Sequence, residues 1–207
     1  MVSAMTASDV NVAVPSPEIQ VETSKVLRTP VSHINIYECP HFTIGIFIVR
    51  KGMSMPLHDH PGMTGLLKVL YGSIKLQAYD NCPGAELPPG ANLKRKPIRV
   101  RKYSPLIVGA DCACQVLSGD EGCFHSIQAH GGEAAFLDIL APPYSDSRDC
   151  SYYREWTPVK TAETDNIENG HSSDEEDEMG WLVKVPQPVD FFCDSLPYTG
   201  PPISLEL

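Results

Sequence analysis

Short apolar runs separated by turn-forming residues begin near residue 34 and recur along the chain. The clearest run alternates, since Ile74, Leu76 and Ala78 fall on one face with polar residues between them. A period of two is typical of a half-buried antiparallel strand. We predict strands over residues 42–49, 66–72, 73–79, 97–103, 134–140 and 181–185.

The connections between these runs consist of turn residues, as in the segment 81–92 (NCPGAELPPGAN). The chain of 207 residues contains 19 prolines and 15 glycines, and 42% of its residues are hydrophobic. This composition favours many short strands with tight turns, and the length fits a single core. We therefore predict an all-β domain, either a sandwich or a barrel.

The composition divides the chain into four segments. Residues 1–28 are rich in Ser, Thr, Val and Pro, and we expect them to form a flexible leader. Residues 29–160 contain most of the predicted strands and form the barrel. We expect residues 161–179 to be a disordered acidic insertion, and residues 180–207 to be a strand followed by an irregular tail that packs on the barrel.

The negative charge is concentrated in the acidic segment. Residues 163–178 hold eight acids and no Lys or Arg, and the whole chain has a formal net charge of −10, so the remainder carries only −2. There is no basic stripe with interleaved aromatic residues, which argues against nucleic-acid binding.

The sequence also bears on location. No apolar run approaches the roughly 20 residues that cross a bilayer, so we expect no membrane segment and a cytoplasmic protein. Seven cysteines without a CxxC pair favour reduced thiols over a disulfide framework. We expect a monomer.

Two histidines have the spacing of metal ligands on a strand. His58 and His60 are two residues apart, so on a strand both imidazoles point to one face and can converge on one ion. Pro61 and Gly62 follow at once and suit the central positions of a type II turn, which places the histidines near a barrel mouth.

Glycines around this pair form a wider pattern, namely Gly52, His58, His60, Gly65 and Gly72 at fixed spacings. The pattern resembles the first motif of the cupins, in which the position of Gly65 is a glutamate that also binds metal. His125, three residues after Gly122, is similar to the histidine of the second cupin motif. By spacing alone His125 is either a third ligand or an ordinary core histidine; as a ligand, we expect it to complete the pair from across the barrel.

Five ordered segments carry a closer resemblance: PLHDHPGM, LKVLYG, FLDILAPPY, RDCSYYR and PYTGP. Together they resemble the 2-aminoethanethiol (cysteamine) dioxygenases and the related plant cysteine oxidases. The short leader and the acidic insertion depart from that pattern. The resemblance implies a cupin barrel, one Fe(II), and addition of both atoms of O₂ to a thiol sulfur. It also implies that His58, His60 and His125 are the ligands.

Three neutral histidines without a carboxylate suit this chemistry. The site keeps a charge of +2 before substrate binds, which favours an anionic thiolate, and three positions stay open on an octahedral ion. The resemblance implies cysteamine, the N-terminal cysteine of proteins, or both, as substrate, with hypotaurine or cysteine sulfinic acid as product. For a protein substrate, the oxidation would mark it for oxygen-dependent degradation.

Two residues near the predicted strand 134–140 are candidates for substrate handling. Asp138 shares a face with Phe136 and Leu140, and a buried acid needs a partner. It either holds a ligand imidazole or the substrate ammonium, or it pairs with a buried arginine or backbone amide. Tyr144 either donates its hydroxyl to bound oxygen or product, or caps the strand end.

Cys150 and Tyr152 match the positions at which members of the family form a thioether crosslink, although the CxY spacing is also compatible with a plain loop. Two other functions stay open at this point. The same three histidines suit zinc and hydrolytic chemistry, and a non-catalytic cupin that binds a ligand or partner is the third possibility.

Overall fold

The computed structural model describes residues 2–15, 29–87, 96–118, 122–157 and 178–203. Two short 3₁₀ helices, Val2–Ala4 and Ala7–Val10, precede the strands. The strands of the described residues are β1 Val31–Glu38, β2 Thr43–Val49, β3 Ser54–Asp59, β4 Thr64–Tyr71, β5 Ser73–Asn81, β6 Ile98–Lys102, β7 Leu106–Gly109, β8 Gln115–Leu117, β9 Phe124–Ala129, β10 Ala134–Ala141, β11 Tyr152–Glu155, β12 Glu178–Val185 and β13 Cys193–Leu196.

The strands form two sheets. Sheet A has the order β13-β1-β2-β10-β4-β8, and sheet B has the order β6-β12-β11-β3-β9-β5-β7. A further pairing between β5 and β6 closes six strands of sheet B into a ring. The all-β cupin barrel predicted from the sequence is confirmed, and each predicted strand is present to within a few residues.

The main core lies between the two sheets. Phe136, Leu67 and Val69 of sheet A pack there with Ile74 and Ile127 of sheet B, all at most 2% exposed. Burial of this apolar surface is the main force that holds the sheets together. The face of β3 and β9 turned away from this core packs into a smaller cluster inside the ring, where Phe124 and Leu182 are buried.

Strand β2 is apolar on both faces because both faces are covered. Phe47 and Val49 point toward sheet B, whereas Ile46 and Ile48 point outward and belong to a separate cluster. The N-terminal 3₁₀ helices supply Ala7 and Val10 to that outer cluster. The sequence of this strand is therefore continuously apolar because sheet B packs on one of its faces and the N-terminal segment packs on the other.

This cover differs from the flexible leader expected for residues 1–28. The expectation fails over residues 2–12 because their alanines and valines contact an apolar sheet face. The side chain of Asn11 also donates to the Thr199 backbone oxygen at 3.0 Å and so ties this segment to the tail. Residues 16–28 lie outside the described residues.

Two other predicted boundaries change. The tail was expected to have no regular structure, but Cys193–Leu196 forms β13, which pairs in parallel with β1. Backbone pairing with the free edge of β1 satisfies hydrogen bonds that the sequence pattern does not show. Of the predicted acidic insertion, residues 161–177 lie outside the described residues, and Glu178 and Met179 begin β12.

All seven cysteines are within the described residues and are free. In the part of the chain that the structure describes, no helix is long and apolar enough to cross a membrane.

The packing of the N-terminal segment predicts a measurable contribution to stability. Val10 is 4% exposed against sheet A, while Val14 is 60% exposed. We expect Val10→Ala to lower the free energy of unfolding by about 1–3 kcal/mol through lost burial and a residual cavity. Val14→Ala, the matched control, should stay within about 0.5 kcal/mol of wild type. Urea unfolding of both variants measures this, and equal values for the two would contradict the packed segment.

Candidate metal centre

Two neighbouring strands of sheet B bring three histidines together. His58 lies near the end of β3 and His60 follows that strand, so the two imidazoles share a face. His125 lies on β9 directly opposite His58 in the antiparallel ladder. The ring centroids are 4.5 to 5.0 Å apart, and one nitrogen from each ring lies within 4.8 Å of the others.

This arrangement corrects one expectation. His125 does not reach the pair from across the barrel, because β9 is the neighbour of β3 in the same sheet. Directly opposed residues of antiparallel strands point to the same side with their Cβ atoms about 5 Å apart. The register of the ladder therefore brings His125 to the pair.

Hydrogen bonds fix the orientation of the imidazoles. His58 Nδ1 lies 2.7 Å from the Pro56 carbonyl oxygen, and His125 Nδ1 lies 3.0 Å from the Gly122 carbonyl oxygen. A carbonyl only accepts, so Nδ1 carries the proton in both rings and Nε2 keeps its lone pair. His60 Nδ1 lies 2.5 Å from the Tyr144 hydroxyl oxygen. All three Nε2 atoms are thereby left for the centre of the cluster.

Burial keeps these imidazoles neutral. Removal from water lowers the pKa of His58, and it lowers the pKa of His125 well below the ordinary value. The pKa of His60 falls to about 3, mainly through burial and further through the charge of His58. Neutral imidazole is the form that binds a metal ion, so the donor set fits a divalent ion at neutral pH without competition from protons.

Asp59, between His58 and His60, joins β3 to the segment that precedes β11. Its carboxylate accepts from the Ser151 backbone nitrogen and the Tyr153 hydroxyl, both at 2.8 Å. Its own backbone nitrogen donates to the Ser151 carbonyl oxygen. Three bonds from one residue thus hold the segment that carries Cys150 and Tyr152 beside the histidines.

The three histidines line a cavity of about 210 Å³ between the sheets. Most of its walls are apolar. Met55, Ile127 and Phe136 belong both to these walls and to the main core. All seven residues singled out in the sequence line this one cavity: His58, His60, His125, Asp138, Tyr144, Cys150 and Tyr152. Tyr152 is there because it pairs with His58 across the ladder.

Asp138 faces the histidines from sheet A. Within the described residues its carboxyl group has no hydrogen bond and no ion pair, and removal from water raises its pKa to about 7. The buried arginine or backbone amide considered as its alternative partner is therefore not there. An acid without a partner in an apolar wall is the group that a cationic substrate would satisfy.

Tyr144 and Tyr152 line the same cavity as the thiol of Cys150. The Cys150 side chain interacts with the hydroxyl groups of both tyrosines. Burial raises the pKa of Cys150 to about 11 and that of Tyr152 to about 12, so both keep their protons at neutral pH. The pKa of Tyr144 is raised as well, mainly by burial, and its hydroxyl is a proton donor.

Gly65 lies on the sheet A face between two leucines of the cavity wall. A Cβ at this position would come 3.3 Å from Leu140 Cδ2 and 3.7 Å from Leu117 Cβ. The place where the common cupin pattern has a glutamate is thus closed in by apolar side chains. Among the described residues, the cluster that can hold a metal contains histidines only.

Two residues of this site have no signal in the sequence pattern. Phe191 and Cys193 line the cavity from the tail, with Phe191 6.0 Å from the Tyr152 ring. Their contact depends on the pairing of β13 with β1, which no local pattern shows. The other described histidines lie outside the cluster, since His33 packs on Phe47 and both His41 and His130 are exposed. His171 lies outside the described residues.

Comparison with known proteins gives the family. A family model described as PCO_ADO matches residues 1–203. The chain belongs to this family.

Three curated relatives agree with the assignment. A 2-aminoethanethiol dioxygenase of Mus musculus is 40% identical over 84% of this chain and 72% of its own length. A 2-aminoethanethiol dioxygenase of Homo sapiens is 35% identical over 98% of this chain and 78% of its own length. Plant cysteine oxidase 2 of Arabidopsis thaliana is 32% identical over 85% of this chain and 62% of its own length. As a member of the PCO_ADO family, the protein is a thiol dioxygenase, an oxidoreductase.

The pKa of Asp138 predicts a pH dependence of stability in the metal-free PCO_ADO protein. The ordinary pKa is 3.8 and the folded pKa is about 7, so unfolding between these values releases a proton and stability falls as the pH rises. Asp138→Asn removes this loss and should gain about 2–3 kcal/mol on wild type between pH 5 and pH 8. Urea unfolding after chelation measures the gain. Asp146→Asn, at an exposed position, is the control. A difference in unfolding free energy between Asp138→Asn and wild type that stays constant from pH 5 to pH 8 would contradict the raised pKa of Asp138.

Proposed function

We propose that this protein is an Fe(II) dioxygenase that converts cysteamine to hypotaurine, the N-terminal cysteine of proteins to cysteine sulfinic acid, or both. The observation that carries the proposal is the set of three neutral, convergent histidines without a carboxylate, in a member of the PCO_ADO family. A relative named 2-aminoethanethiol dioxygenase and one named plant cysteine oxidase supply the two substrate types.

In this proposal His58, His60 and His125 hold the iron through Nε2. Bound Fe(II) supplies the one-electron chemistry that lets O₂ react with a thiolate. The protein contributes no anionic ligand, so the net positive charge of the site favours the thiolate over the thiol. The apolar walls around the histidines exclude water and strengthen that attraction.

We propose that Asp138 binds the ammonium group shared by cysteamine and an N-terminal cysteine. Its lack of a partner within the described residues and its place opposite the histidines support this role. A cation beside the carboxyl group favours its ionised form, so substrate binding would lower the pKa of Asp138 again. The thiol and the ammonium would then be held at opposite sides of the cavity, at the histidines and at sheet A.

The hydrogen bond of His60 assigns a role to Tyr144. When His60 Nε2 binds a metal, its Nδ1 carries the proton and donates to the Tyr144 hydroxyl oxygen. The hydroxyl proton of Tyr144 then points to the cavity side, where Cys150 also lies, and can be donated there. We propose that it stabilises negative charge that develops on oxygen during the reaction.

A competition assay tests the proposal. Protein reconstituted with Fe(II) under anaerobic conditions is given cysteamine, a peptide that begins with cysteine, and then O₂, and mass spectrometry follows the gain of two oxygen atoms. We expect turnover of at least one substrate, none in His125→Ala, and a kcat reduced about 10- to 100-fold in Tyr144→Phe. Exposed His130→Ala is the control.

The same assay separates the other functions considered for this fold. Zinc in the purified protein with no oxygen uptake after iron reconstitution would favour hydrolytic chemistry. Absence of any bound metal and of turnover would leave a non-catalytic cupin.

We further propose that Cys150 and Tyr152 form a thioether crosslink. Their shared place in the cavity wall and the interaction between the thiol and the hydroxyl support it. Intact mass of the iron-treated protein should fall by two hydrogen atoms in the presence of O₂, and Cys150→Ser or Tyr152→Phe should keep full mass. Wild type that keeps its mass under turnover would rule the crosslink out.

A further inference from the structure

A second cavity of about 400 Å³ adjoins the metal cavity. The two cavities share five wall residues, which are Phe47, Asp138, Leu140, Tyr144 and Cys193. Apart from Pro143, the remaining walls of the second cavity come from β1, β2 and β13 at the edge of sheet A. We call this second cavity the edge groove.

Gly45 lies in the wall of the edge groove, next to Asp138 in the sheet. In the register of sheet A, Gly45 lies between Asn35 on β1 and Asp138 on β10. A Cβ at Gly45 would come 2.5 Å from His33 Nε2, so a larger residue would displace that ring. The His33 ring therefore covers the backbone of Gly45, and the metal cavity and the edge groove meet at the five wall residues that they share.

The edge groove is polar and acidic, unlike the apolar metal cavity. Its walls include the carboxyl groups of Glu38 and Asp194, and they contain neither Lys nor Arg. Glu38 is exposed, and within the described residues it makes no hydrogen bond and no ion pair. Glu38 also lines an adjoining depression together with Arg148, whose side chain donates to the Pro143 carbonyl oxygen.

We infer that the edge groove binds the residues that follow the N-terminal cysteine of a peptide substrate, and that it selects peptides with a cationic side chain there. The inference rests on the proposed function. Cysteamine ends at its ammonium and ethylene groups and has nothing to place beyond Asp138. A peptide whose ammonium lies at Asp138 must direct its chain away from the histidines, and the shared walls open onto the groove.

Charge complementarity supports the cationic preference. A lysine or arginine that enters the groove meets the exposed carboxylate of Glu38. The Asp194 carboxylate already interacts with Ser32 and with the charge of Arg50, so it contributes less. Glutamate at the same peptide position would meet like charge. Such exposed charge pairs change affinity modestly and depend on ionic strength, so the preference is measured as a ratio between two peptides at low salt.

The test uses two short peptides that begin with cysteine and differ only at the second and third residues, lysine in one and glutamate in the other. We expect wild-type iron-loaded protein to favour the lysine peptide about three- to fivefold in kcat/KM. Glu38→Lys should reverse the preference. Glu86→Lys, the same change at an exposed residue outside both cavities, should leave it unchanged, and cysteamine kcat/KM should stay within about twofold in both variants.

A bulky residue in the groove gives a second, steric measurement. Ser195 is an exposed wall residue on β13, and Ser195→Trp should raise the KM of both peptides about tenfold while cysteamine is turned over as by wild type. A peptide ratio unmoved by Glu38→Lys, or a loss of cysteamine turnover equal to that of the peptides, would overturn the inference. If wild type oxidises neither peptide nor cysteamine, it is the proposed function that fails instead.

Discussion

The site depends on the register between β3 and β9, which sets His58 directly opposite His125. A shift of one residue would turn His125 into the smaller cluster inside the ring and bring Phe124 into the cavity. The register is held by apolar burial on both sides of these strands, with Ile127 in the main core and Phe124 in the ring. The same burial lowers the pKa of the histidines. Packing of the strands and the neutral state in which the imidazoles can bind a metal therefore have one cause.

Local patterns in the sequence were sufficient for those features that depend on near neighbours. The long strands alternate or form apolar runs, and the spacing of His58 and His60 places both on one face whatever they pair with. The other features of the fold and the site depend on pairing between residues that are distant in the sequence. The place of His125 in the same sheet, the short edge strand β13 and the packed segment around Val10 all depend on contacts between distant residues.

The electrostatics of the cavity were also only partly accessible from the sequence. An acid among apolar residues in β10 marked Asp138 as unusual, but whether a partner reached it depended on the opposite sheet. The structure combines neutral histidines with a carboxyl group whose pKa is about 7. Without a bound metal or substrate, the cavity therefore has little charge of its own.

Asp59 joins the ligand strand to the segment before β11 through three hydrogen bonds. Regions that share such bonds open and close together as one cooperative unit in amide hydrogen exchange. We expect an ion held by His58 and His60 to protect the amides around Ser151 from exchange as well. Loss of such an ion should then loosen the segment of Cys150 and Tyr152 together with the histidines.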